Sequence, residues 1–471
     1  MLQNDNLGIW LKILLPGVLA ALLLGSPTAG SVQDAVQMAN IGVQPRAGAL
    51  VNLAELETWR TGLWEQAARI YQQNQDVENA NLNYQKAQRH NDLSPTGQMS
   101  WGEMLWQAGR VDEAVKIWQS LLDSGKAPIE TYPKLAQIFW ARGNTAQVAD
   151  LSEKWRKLEP SNQIANFYRG LSLIMDHSDQ AVAFFSTAAQ GNEPIRTQAQ
   201  TIRQAINLAS LQKDPAVGLV VIGRGLGSAG QWKLAQLFFE DAVQIAPDEA
   251  EGWAFLGEAR QQNGLDGFPQ LQKAIQLNPD SGVNRGLLGL YYRRQGKPEL
   301  AFEVIQAVVL QEPLEPGWQV ELGNTVVELG KLEDALSYFE KAARLAPTNP
   351  FYWEVLARFS VETHTQVLEV GLPAARQAVQ LAPNDSIALD LMGWVFYQVG
   401  DQASAERFLL KSLAQDGESL NTYLHLGQTY IQMGRMPDAF KSLVYVQQNA
   451  SPESQEWKIA LRLLQQYFSW K

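Results

Sequence analysis

Residues 316–349 read PGWQVELGNTVVELGKLEDALSYFEKAARLAPTN, and the same 34-residue grammar recurs at 282–315 and 420–453. An apolar–Gly pair comes early, as Leu288-Gly289, Leu322-Gly323 and Leu426-Gly427. A second glycine follows seven residues later, at Gly296, Gly330 and Gly434, and an alanine five after that, at Ala301, Ala335 and Ala439. A fixed period of this length marks stacked supersecondary units, none of which can bury its apolar face alone.

The spacing predicts two amphipathic helices and a tight turn per unit. The early glycine lets the first helix, A, approach its neighbour closely. The second glycine ends helix A where a left-handed residue is needed. The alanine keeps helix B close to A, and the large residue four later (Phe239, Ile305, Phe339, Leu443) fills the space between them. Ala242, Val308 and Ala342 continue that face at helical spacing. The closing proline (Pro247, Pro279, Pro313, Pro347, Pro383) cannot extend a helix and starts the connector.

At these residues the chain resembles the tetratricopeptide repeat family, whose pattern runs W-x2-L-G-x2-Y, a turn Gly, A-x3-F and P. Trp253-Ala-Phe-Leu256-Gly257 matches its opening, and Leu288-Gly289-Leu-Tyr-Tyr292, Gly296, Ala301 and Pro313 match most of the remainder. In this register units fall near 95–128, 129–162, 163–194, 216–249, 250–281, 282–315, 316–349, 350–385, 386–419 and 420–453, roughly three quarters of the chain. The resemblance implies an all-α fold, a right-handed α-α superhelix of about ten helix-turn-helix repeats, that binds proteins and does not catalyse.

The pattern has departures. The unit at 250–281 is two residues short around Leu265–Phe268, and that at 350–385 is two long. His177 and His364 occupy turn-glycine slots. Ile195 to Ser210 (IRTQAQTIRQAINLAS) aligns Ile195, Ala199, Ile202 and Ile206 on one face and reads as an extra helix. An odd helix interrupts pairwise stacking, so 195–215 is the expected internal boundary and bend. It separates repeats at 95–194 from repeats at 216–453.

The N-terminal segment 1–24 holds Leu7–Leu24, LGIWLKILLPGVLAALLL, 18 residues with one charge at Lys12. As a helix it would span about 27 Å, close to a hydrocarbon core. An uncleaved single-pass anchor is expected; the competing reading is a signal peptide cleaved near Ser26–Gly30, which would give a secreted protein. Residues 25–46 read as a linker. Lys12 biases the N-terminus inside and the repeats outside the cytoplasm. Within 47–94, Leu50–Gln73 is helical by pattern and Glu78–Gln88 reads as an exposed helix. Together they form either N-terminal capping helices or a degenerate repeat.

Composition narrows function. Apolar residues make up 46% and charged ones 18%, which excludes a disordered chain. The net charge of −11 argues against nucleic acid as a partner. No cysteine is present, which excludes disulfides, thiol catalysis and cysteine metal sites. The four histidines show no ligand spacing, so no metal or other cofactor is expected. No nucleophile–base pair stands out, and the repeats leave no stretch for a catalytic core, so no enzyme is expected. Val217–Gly230 contains Gly225-x-Gly227-x-x-Gly230 after an apolar run, with Asp241 and Asp248 downstream. That motif binds dinucleotides only inside a βαβ unit. Here Gly223 and Gly230 fall on the two repeat glycines, so the run reads as helix A. In this register Gly330→Val is expected to cost more stability than Gly227→Val.

In the family that the chain resembles, helix A lines the concave groove and the residue after Leu-Gly points into it. Those positions are Glu103, Gln137, Arg224, Glu258, Leu290, Asn324, Arg358, Trp394 and Gln428, followed by Trp106, Trp140, Arg293, Arg294, Tyr397 and Ile431. The family's carboxylate clamp needs Lys and Asn where this chain has Val320 and Val355, so Asn324 stands alone. A mixed lining suits an extended or helical peptide. The expected role is a scaffold for protein assembly; the alternatives are a glycan-binding envelope factor, which would need open aromatic faces in the groove, or an accessory subunit of a membrane enzyme complex. The terminal segment 454–471 reads as a capping helix with Trp457, Ala460, Leu461, Leu464 and Phe468 inward. Its second apolar stripe, Ile459, Leu463, Tyr467 and Trp470, either wraps the last repeat or docks a partner or a second copy.

Overall fold

The computed structural model describes residues 47–57, 59–176 and 178–468. All regular structure among them is helical: 25 α-helices and one π-helical turn. The chain divides into two compact units at Ala188/Ala189. The first contains Ala47–Leu56 and four helix pairs: Leu63–Gln73 with Val77–Arg89, Pro95–Gln107 with Val111–Asp123, Thr131–Ala141 with Thr145–Leu158, and Gln163–Leu173 with Ser178–Ala188. The second opens on Ile195–Ala209 and closes on Gln455–Phe468. Between them lie seven pairs, whose A helices are Pro215–Ser228, Ala250–Gln262, Gly282–Arg294, Pro316–Glu328, Pro350–Thr363, Ser386–Gln398 and Leu420–Gln432. In the second unit each A helix packs against its own B helix, against the helix that precedes it and against a neighbouring A helix.

The repeat residues do what their spacing requires. A Cβ on Gly323 would lie 2.9 Å from the Phe339 ring, and Gly223 meets Phe239, Gly289 meets Ile305 and Gly427 meets Leu443 in the same way. Phe339 is 2% exposed, a burial that contributes about 2–3 kcal/mol. The turn glycine Gly330 has φ +74°. Its N–H donates to Val327 O at 2.8 Å, and that of Lys331 donates to Val326 O at 3.1 Å, which closes the helix. A helices start on side-chain caps such as Ser281, Asn349, Asp385 and Ser419.

The two irregular units are accommodated differently. In 350–385 His364 takes the left-handed turn at φ 53°, Gln366 follows at φ 46°, and the π-helical turn Val367–Gly371 absorbs the two extra residues. In 250–281 helix B shortens to Phe268–Leu277, and Gly267 comes into the alanine slot against the backbone of Gly257.

Three expectations change, and one pair of alternatives is decided. Leu50–Gln73 is not one helix: it breaks after Leu56 and resumes at Leu63, behind Gly62 at φ +81°. Val77–Arg89 is not an exposed helix, because Ala80, Tyr84 and Ala87 are fully buried and Trp101 Nε1 donates to Asn81 Oδ1 at 2.9 Å. The third change is at Gly227, where a Cβ would meet the Trp232 ring at 2.6 Å. That position has a packing requirement of its own, so Gly227→Val and Gly330→Val no longer separate the register. Finally, Ile459 and Leu463 pack on the last repeat beside Trp457 and Phe468, so the second stripe is not an outer one; Tyr467 stays exposed. Leu7–Leu24, the linker, His177 and Trp470 lie outside the described residues. Among the described residues no helix is long and apolar enough to cross a membrane.

Candidate functional site

In the second unit several of the predicted groove residues meet partners on neighbouring A helices, and their charges sort into two groups. In the first four A helices, groups from successive repeats meet. Arg294 Nη1 and Nη2 each donate to a carboxylate oxygen of Glu258 at 2.7 Å, a two-pronged bridge between neighbouring A helices. Glu258 is only 5% exposed and also accepts from Gln262 Nε2 at 2.9 Å. Arg293 is tied to Glu321 on the next A helix and lies 3.3 Å from Glu328. Burial and the nearby Glu321 push the Glu328 carboxyl up, and Arg293 pulls it down. Arg224 lies 3.9 Å from Glu251 and 4.9 Å over the Phe255 ring. The Arg294–Glu258 and Arg293–Glu321 pairs join successive repeats, and both oxygens of Glu258 are occupied.

The last three A helices differ. Arg358 is exposed and makes no hydrogen bond or ion pair among the described residues. It lines a cavity of about 270 Å³ with Glu362, Asp390, Trp394 and His425. These residues come from three successive A helices, Pro350–Thr363, Ser386–Gln398 and Leu420–Gln432. Trp394 stacks on Tyr397 (centroids 4.5 Å apart, planes at 7°) and on His425 (4.1 Å, 15°). Two rings at those distances would overlap on one face, so the indole is sandwiched between them and presents its edge. His425 Nδ1 lies 3.0 Å from Asp390 Oδ1, which fixes the imidazole against the indole. Burial pushes the Tyr397 hydroxyl up, partly offset by its hydrogen bond with Gln432.

Of the sequence-predicted residues, the structure therefore brings Arg358 and Trp394 together, with Tyr397 as support. Asn324 and Gln428 are half-buried and do not line this cavity. Leu463 and Tyr467 lie on the terminal helix, away from it. Sequence reasoning missed Asp390 and the role of His425. Asp390 precedes Trp394 by four residues on one helix, a spacing that places both on one face. Because Trp394 has both faces covered, a sugar cannot stack on the indole itself.

Residues 65–127 and 287–350 match the model of the tetratricopeptide repeat family, and the first match takes in both Leu63–Gln73 and Val77–Arg89 in large part. Among curated proteins, the chain is similar to superkiller protein 3 of Schizosaccharomyces pombe, 26% identical over 118 residues, 25% of this chain and 8% of that one. It is similar to the CTR9 homolog of Arabidopsis thaliana, 22% identical over 239 residues, 48% of this chain and 22% of that one. A third match is the peroxisomal targeting signal receptor of Pichia angusta, 25% identical over 173 residues, 34% of this chain and 29% of that one. The chain thus spans less than a third of the length of each of these relatives. A solved structure of the APC/C hetero-tetramer Cut9-Hcn1 aligns over 94% of this chain and 97% of that one at 13% identity, with a TM-score of 0.43. Repeats of the matched kind, over 65–127 and 287–350, are suited to protein–protein interaction.

Proposed function

We propose that this protein is a non-catalytic scaffold that holds a linear segment of a partner protein along the A helices Pro350–Thr363, Ser386–Gln398 and Leu420–Gln432. The observation that carries the reading is the cavity at Arg358, Trp394 and His425, where an unpaired guanidinium stands beside a rigid aromatic stack. Elsewhere in the unit the groove charges neutralise one another, so binding energy concentrates here. The named relatives include a receptor for a targeting signal, which agrees with recognition of a protein segment. We also propose that Leu7–Leu24 attaches the scaffold to a membrane with the repeats outside the cytoplasm, on the strength of its 18 residues and single charge.

Affinity capture with the intact detergent-solubilised chain, read by mass spectrometry, tests the groove. Proteins recovered with the wild type are expected to be lost, at least about tenfold, with Trp394→Ala and retained with Arg260→Ala, which lies outside the cavity. Equal recovery by both variants would remove the groove from the mechanism. Protease added to spheroplasts is expected to digest the repeats; protection until lysis would reverse the topology.

A further inference from the structure

The cavity at Trp394 does not end there. Ser386, Ile387 and Asp416 also line a second cavity of about 840 Å³, bounded on its far side by Glu193, Arg196 and Gln198 at the start of helix Ile195–Ala209. The two share these three residues and lie side by side within the second unit, and we take them together as one groove.

Its charge is one-sided. Five carboxylates line it, from Glu193, Glu362, Asp385, Asp390 and Asp416, against the guanidiniums of Arg196 and Arg358. Arg196 is already bound to Glu193 at 2.7 Å. Asp385 is taken up as a helix cap, accepting from the Ile387 and Ala388 amides. Glu362 and Asp416 have no cation within salt-bridge distance among the described residues, and the one ring paired with Asp390 is a histidine. Beneath them Glu354 is half-buried on the same helix as Arg358, and burial, then Asp385, push its carboxyl up while Arg358 pulls it down. The groove holds more negative charge than it neutralises, and the chain as a whole carries −11. Apolar surface is present beside the acids: Ile387 is 50% exposed, and Leu391 and Val361 line the inner cavity.

We propose that this groove takes an extended peptide segment carrying a lysine or arginine, whose cationic head lodges among Glu362, Asp390 and Asp416. The aliphatic stem of such a side chain lies along Leu391 and the Trp394 edge, while the head keeps polar partners. The field of the acidic chain steers a basic segment towards the groove and repels an acidic one. This inference rests on the reading of the groove as a protein-binding site and adds the chemistry of what enters it.

The test uses fluorescence anisotropy with the intact chain and three labelled pools of peptides about ten residues long, a length suited to an extended groove ligand. Each pool is randomised over uncharged residues, with Lys, Gln or Glu fixed at the centre. The Lys pool is expected to bind about tenfold tighter than the Gln pool at low salt, with the Glu pool weakest. Glu362→Gln/Asp416→Asn changes two exposed side chains and is expected to remove the advantage of the Lys pool over the Gln pool. A Glu preference, or a Lys preference that survives the double variant, overturns the proposal. If all pools bind alike and Trp394→Ala weakens all of them, the charge inference falls and the groove reading stands. If Trp394→Ala changes nothing, or no pool binds, both fall. A thermal melt of each variant confirms that it is folded.

Discussion

Gly267→Ala is expected to destabilise the second unit by about 3 kcal/mol, the upper part of the range for forcing one carbon into a filled core. Gly267 has φ −102°, which any residue adopts, so the cost is purely one of contact. A Cβ there would stand 2.0 Å from the carbonyl oxygen of Gly257 and 2.8 Å from its carbon. Both neighbours are backbone, and no rotamer change relieves them; helix Phe268–Leu277 must move away from helix Ala250–Gln262. Gly317→Ala is the control, since its Cβ would meet only Glu315 Oε1 at 3.5 Å. Urea unfolding with hydrogen exchange across 250–281 reads the difference, because stacked repeats open locally as well as globally. A loss below about 1 kcal/mol, no greater than an ordinary surface change, would show that the two-residue deletion is not what presses these backbones together.

Arg294→Met is expected to cost about 2–3 kcal/mol. The substitution strands the Glu258 carboxylate, 5% exposed, without the two donors that hold it at 2.7 Å. Removing one partner of a buried pair costs about 3–5 kcal/mol, and the one-third exposure of Arg294 tempers that figure. Adding Glu258→Leu is expected to restore most of the loss, since an apolar pair can replace a buried ion pair. The same double-mutant cycle in urea checks the assignment. If Arg294→Met costs only the ~0.5 kcal/mol of an exposed pair, the bridge does not tie the repeats.

Gly323, Phe339, Gly330 and Ala335 illustrate why so much of the fold was legible. Each answers a local demand, for a close approach, a filler, a left-handed turn or a small contact, and all four recur at fixed spacing. The glycine-rich run 217–230 was legible for the same reason. It forms helix Pro215–Ser228, with Gly223 under Phe239 and Gly225 against Ala205. The N-terminal pairs were harder to read. Gln75 carries the left-handed turn at φ 61° without being glycine, and Tyr84 fills the slot that an aromatic or aliphatic residue fills elsewhere. Once the glycines are gone the pattern keeps only its sizes, and Val77–Arg89 looks exposed.

The sequence by itself determined the all-helical stack and the spacing of its repeat residues, because these follow from contacts within one repeat and its period, and it raised an expectation of which side chains line the A-helix face. Only the tertiary structure decided which of those side chains remain available. Arg224, Glu258 and Arg293 look alike in sequence to Arg358, yet the first three meet opposite charges one repeat away and Arg358 does not. Trp394 likewise looks like an open platform until Tyr397 and His425 close on it. Such pairings join residues about a repeat length apart, and whether two charges cancel depends on side-chain reach across neighbouring helices, which no periodicity in a single chain encodes.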